Sequence, residues 1–103
     1  NFDTSKVTSM SNMFANCKQL EYLDISSFRT NKVTDMSGMF NSLIVLKNLD
    51  VTRFDTSQVE TMRQMFSYCE SITSLDISGF NIEKVKDLAN FMCNCYKLQN
   101  LDV

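Results

Sequence analysis

Asp24, Asp50, Asp76 and Asp102 stand 26 residues apart, each between two apolar side chains, and four cysteines fall at Cys17, Cys69, Cys93 and Cys95. A row of carboxylates can take a cation or a basic stretch of a partner, while thiolates can hold zinc or form a disulfide. Catalysis asks for more. The chain has no histidine and no tryptophan. The usual general base, the commonest metal ligand and the Ser-His and Cys-His nucleophile pairs are therefore missing. No carboxylate is set apart from its copies in the way a raised pKa would require. The chain reads as non-enzymatic, with no cofactor.

The cysteines carry little chemistry either. Cys17, Cys69 and Cys95 occupy one periodic position that Leu43 fills in the remaining copy. A slot shared with leucine is a core slot, where free cysteine behaves as a small buried hydrophobe. Cys17 and Cys69 are two periods apart, too far for a bond, whereas Cys69 and Cys95 are one period apart and could reach. Cys93 alone lies off the ladder. Its Cys-Asn-Cys neighbourhood lacks the two-residue spacer and four ligands of a structural zinc site, so no metal is expected.

The elements that must position the aspartates follow from the period. Phe28, Phe54 and Phe80 keep the same step as Phe2, Val33, Val59 and Val85 the step of Val7, and Leu49, Leu75 and Leu101 that of Leu23. A fixed period of this size marks units that bury their apolar faces only by stacking on one another. Leu23-Asp24-Ile25, Leu49-Asp50-Val51, Leu75-Asp76-Ile77 and Leu101-Asp102-Val103 alternate apolar and polar residues as half-buried strands do. Strands one period apart should stack in parallel and in register. Met36, Met39, Phe40 and Leu43 fall at i, i+3, i+4 and i+7, one face of a helix, and equivalent sets begin at Met10, Met62 and Leu88. Ser9, Asp35, Thr61 and Asp87, just before them, are strong N-cap types. The spacing thus predicts an α/β chain, a right-handed leucine-rich-repeat-like solenoid of four 26-residue repeats, each with a short parallel strand and a short helix. One domain covers 1–103, with repeats at about 2–27, 28–53, 54–79 and 80–103. The Met and Phe ladders form its core rather than a flexible partner-binding surface.

Other classes are excluded by composition. A net charge of −2 among 103 residues offers no footprint for nucleic acid. The longest purely apolar run, Leu43 to Leu46, is too short to span a bilayer, and no signal peptide opens the chain. It starts on Asn1 rather than Met and reads as a piece of a longer protein. Thr4, Thr30 and Thr56 suggest a flat ice-binding face, but Ile82 breaks that ladder.

The segments Phe-Asp-Thr-Ser-Lys-Val-Thr-Ser-Met-Ser-Asn-Met-Phe-Ala-Asn-Cys at 2–17 and Leu-Asp-Ile-Ser at 23–26 resemble the BspA-like bacterial surface protein repeat, and the resemblance runs through the whole chain. The fourth copy departs from it, with Asn81-Ile82-Glu83 in place of Asp-Thr-Ser and Phe91-Met92 in reversed order. The resemblance implies an array at the cell surface or secreted, with adhesion to host matrix glycoproteins or mucus.

Two readings of the aspartate row stand open. Each carboxylate could accept hydrogen bonds from the turn of its own repeat, which would offset the repulsion between like charges. Alternatively the outer strand face is a binding strip made of Tyr22, Asn48, Ser74 and Asn100, then Asp24, Asp50, Asp76 and Asp102, then Ser26, Thr52 and Ser78. The functional expectation is a non-catalytic protein- or glycoprotein-binding segment of a bacterial surface protein. An intracellular interaction scaffold and a ligand-free spacer are the alternatives. Neither end carries a cap, so end-to-end self-association is also expected.

Overall fold

Backbone amides of one coil donate to carbonyls of the next, and that pairing organises the whole chain. The computed structural model describes residues 3–103, so the ladder position at Phe2 lies outside the described residues. Parallel bridges join Ser9 to Asp35, Asp35 to Thr61 and Thr61 to Asp87, a constant offset of 26. From each bridge the bonding continues at every second residue. Met10, Asn12, Phe14 and Asn16 donate to Asp35, Ser37, Met39 and Asn41 at 2.8–2.9 Å. Met36, Gly38, Phe40 and Ser42 donate likewise to the third coil, and Met62, Gln64, Phe66 and Tyr68 to the fourth.

This pattern overturns the expected helices. Among the described residues there is no helix, and only two short strands are formed. A helix would spend its amides on carbonyls four residues back. Here alternate amides leave for the neighbouring coil, and the intervening ones close four-residue turns, as in Met13 to Met10 and Cys17 to Phe14. Asn12, Asn16, Gly38, Ser42, Gln64, Tyr68, Asn90 and Asn94 all have φ between 55 and 64°. Positive φ at the third residue of such a turn is the type II geometry. Two of these turns in succession return the chain to the core every three or four residues, so the inward spacing imitates a helix face. The inward residues of the second and third coils are as expected, with Met36, Met39, Phe40, Leu43, Met62, Met65 and Phe66 fully buried, whereas Met13 in the first coil and Leu88 in the fourth are exposed. The expected caps also accept amides two residues on, Asp35 from Ser37 and Asp87 from Ala89 at 2.9 Å, but they cap turns.

Strands are fewer than expected. β1 (Ser74–Asp76) pairs in parallel with β2 (Asn100–Asp102), with Leu75 opposite Leu101 and Asp76 opposite Asp102. Leu23–Ile25 and Leu49–Val51 are not strands. The coils are therefore tied along the Met-Phe side throughout, and along the Leu-Asp side only between the last two. The α/β solenoid of strand and helix in each repeat is replaced by a stack of parallel coils built almost wholly from turns.

Aromatic rings fill the centre. Phe14, Phe40 and Phe66 stack at 5.9 and 5.6 Å with planes 6° and 11° apart, a favourable arrangement for aromatic pairs. Phe28 and Phe54 flank the column. In the fourth coil Phe91 enters from the position where the third has Met65, and its ring meets Phe66 edge-on at 89°. The reversed Phe-Met order thus ends the stacked column.

Thr4, Thr30 and Thr56 are 3%, 2% and 1% exposed, which removes any flat threonine face. Each hydroxyl is an inter-coil staple. Thr4 Oγ1 accepts from the Arg29 amide at 2.7 Å and donates to the Arg29 carbonyl at 3.0 Å. Thr56 does the same to Asn81.

Candidate site on the Leu-Asp side

Three of the four aspartates are held by the turn that follows them. Asp24 Oδ1 accepts the Ser26 amide at 3.0 Å. Asp50 Oδ1 takes the Thr52 amide at 2.9 Å and its hydroxyl at 2.6 Å, and Asp76 takes Ser78 at the same distances. Short polar side chains form such turns because their oxygens reach the amide two residues ahead. The hydroxyls of Ser26, Thr52 and Ser78, and then the amides, hold these three carboxyls below the usual carboxylate range. Arg53 adds to the effect at Asp24 and Asp50, while Asp50 opposes it at Asp76. The carboxylates therefore stay ionised despite their neighbours. Among the described residues Oδ2 of each makes no hydrogen bond, so one carboxylate oxygen is not taken up by the turn.

The expected strip is largely brought together. A concavity of about 330 Å³ is lined by Tyr22, Asp24, Ser26, Asn48 and Asp50, with Glu21 and Arg53 beside them. A second, of about 250 Å³, takes Asp50, Thr52, Ser74, Asp76 and Asp102. The first lies where neighbouring coils lack backbone pairing, and the second spans from such a gap to the paired β1 and β2. Tyr22 is 76% exposed. Ser78 instead lines an apolar groove at the last coil, and Asn100 opens β2 outside all three hollows. Arg53 was not anticipated. Its equivalents are Ser27 and Gly79, so a search for residues common to all coils passes over it.

The thiols have a separate role. All four cysteines are free. Cys69 donates to the Phe40 carbonyl of the preceding coil at 3.2 Å, and Cys95 to that of Phe66 at 3.1 Å. Burial pushes the Cys69 thiol up to about 12 and raises that of Cys95. Cys93 is exposed, with Sγ 3.6 Å from Asn90 Oδ1. No group of three or more Cys, Asp or Glu side chains suited to a metal ion occurs among the described residues. Nor is any helix there long and apolar enough to cross a membrane.

A family model for DUF285, described as a Mycoplasma protein of unknown function, matches residues 1–102. The chain belongs to that family. No curated protein and no solved structure matches it. The DUF285 match takes in all four coils, the aspartate row and the turn segments alike.

Proposed function

We propose that this DUF285 chain is a non-catalytic binding segment of a bacterial surface protein, and that its Leu-Asp side takes up a protein or glycoprotein in adhesion. The observation that carries this reading is the clustering of exposed Tyr22, Asn48, Asp24, Asp50 and Arg53 around one hollow. An exposed aromatic face beside fixed polar groups suits a basic peptide or a glycan of matrix glycoprotein or mucus, since such rings contribute contact area at low entropic cost. Placement at the cell surface or in secreted form rests on the resemblance to the BspA-like repeat.

A ligand-free spacer is the second reading. It draws on the inward use of Oδ1 at Asp24, Asp50 and Asp76, which explains those residues through their turns. An array of matrix glycoproteins, mucins and basic peptides separates the two. Binding that falls at least tenfold in the triple variant Asp24→Asn, Asp50→Asn, Asp76→Asn, which keeps the turn acceptor and removes the charge, supports the strip. Binding that ignores the triple variant moves the site elsewhere, and silence across the array leaves the spacer.

A further inference from the structure

We infer that Arg53 decides how a basic peptide lies along the strip, turning its cationic side chains toward the hollow of Asp50, Asp76 and Asp102 and away from that of Tyr22 and Asp24. The inference rests on the binding role given to the Leu-Asp side. The two hollows share Asp50 but differ in sign. Asp50, Asp76 and Asp102 line the second, and no cationic side chain does. Glu21, Asp24 and Asp50 line the first, but Arg53 stands among them.

Electrostatics follow the same division. Arg53 helps to keep Asp24 and Asp50 ionised, whereas the charge that acts on Asp76 is that of Asp50, which opposes it. Arg53 does this without a direct ion pair, since among the described residues the one such pair joins Arg63 to Asp87 at 3.6 Å. A cation arriving at the strip therefore meets repulsion from Arg53 in one hollow and an unrelieved like-charge pair in the other. Seated in the second, it offsets the repulsion between Asp50 and Asp76 and donates charge-assisted hydrogen bonds to carboxylate oxygens that the turns do not use.

The first hollow then receives the adjoining part of the peptide. The Tyr22 ring, 76% exposed, offers a face to an apolar or aromatic side chain, and the Arg53 guanidinium donates to a peptide carbonyl or carboxylate. Spacing suits a peptide. Asp24 and Asp76 are two coil steps apart, about 10 Å at roughly 4.8 Å a step, which about three extended residues span. A bare metal ion fits poorly, because among the described residues no acidic group of three is gathered closely enough to hold one. Arg53 itself is exposed and stands where the neighbouring coils have Ser27 and Gly79, so it is an addition to the repeat rather than part of its packing.

Calorimetry at low salt with trilysine amide as the probe tests the assignment, with thermal midpoints confirming that each variant is folded. Asp76→Asn should weaken wild-type binding about tenfold, the scale of one charge-assisted bond, and Asp24→Asn about threefold. Arg53→Ser should tighten binding about threefold by removing a nearby like charge. In that background Asp24→Asn should cost about tenfold, because the cation now enters the first hollow as well. Equal losses for Asp24→Asn and Asp76→Asn in the wild-type background overturn the inference while leaving the strip's binding role intact, and so does an Arg53→Ser chain that binds no more tightly. A wild-type chain that ignores trilysine also overturns it. The binding role then stands only if a mucin or matrix glycoprotein is still bound and is lost in the triple aspartate variant, which would assign the hollows to a glycan.

Discussion

The Thr30 hydroxyl accepts the amide of Asp55 at 2.8 Å and donates to the carbonyl of the same residue at 3.0 Å, closing a two-way link between the second and third coils. The bond pair sits in a position 2% exposed. Thr30→Val keeps the shape and strips both partners, leaving an amide and a carbonyl without bonds. Urea denaturation should show a loss of about 2–4 kcal/mol, because unsatisfied buried groups cost more than the bonds gained. Thr30→Ser should lose less than half as much, and equal losses in both variants would refute the staple.

Gly38 is held by its backbone. Its φ of 62° lies in the left-handed region, and a Cβ there would meet only the tip of the exposed Asn12 side chain of the preceding coil, which can swing aside. Gly38→Ala should cost about 1–2 kcal/mol, chiefly as backbone strain. Gly38→Asn, a residue that tolerates this region, should cost less than Gly38→Ala. Urea midpoints check the order, and equal losses in both variants would refute the strain.

The aspartates set the acid limit of stability. Asp24, Asp50, Asp55 and Asp76 all have depressed folded-state values, with hydroxyl bonds the first cause. Their contribution is thus present above the unfolded carboxylate value, about 3.9, and is lost as pH falls through the folded values below it. Tm should hold from neutrality to about pH 5 and then drop. Thr52→Ala should raise the Asp50 titration midpoint followed by NMR and leave that of Asp24 in place.

Thiol accessibility orders the cysteines. Cys93 is exposed, whereas Cys69 is 1% exposed with its thiol pushed up to about 12. An aromatic disulfide reagent at mildly alkaline pH should modify Cys93 first and Cys69 only as fast as the chain unfolds, since the thiolate is the reacting form. Cys69→Leu should fold, because Leu43 occupies the same slot one coil earlier. Fast modification of Cys69 in the folded chain would contradict its burial.

Much of the fold is legible in the residues alone. The 26-residue step, the parallel register of Leu75 on Leu101 and the inward positions of Met36, Met39, Phe40 and Leu43 follow from side-chain types at fixed spacing. Apolar residues repeat because each must meet its copy on the adjoining coil, and that demand is written directly in the chain. The choice between helix and turn is not. A helix face and two consecutive type II turns bring side chains inward at the same intervals, and what separates them is where the amides go. Asn12, Asn16, Asn90, Asn94 and Gly38, at four-residue spacing, are the trace of the left-handed positions, but Ser42, Gln64 and Tyr68 obscure it. The sorting of the aspartates has the same origin. Their alternation with leucine marks them as outward, while their capture by Ser26, Thr52 and Ser78 depends on how the following turn closes. Side-chain pattern is local and determines which residues face the core; backbone hydrogen bonds between coils are long-range, so only the assembled stack decides how the chain runs between them.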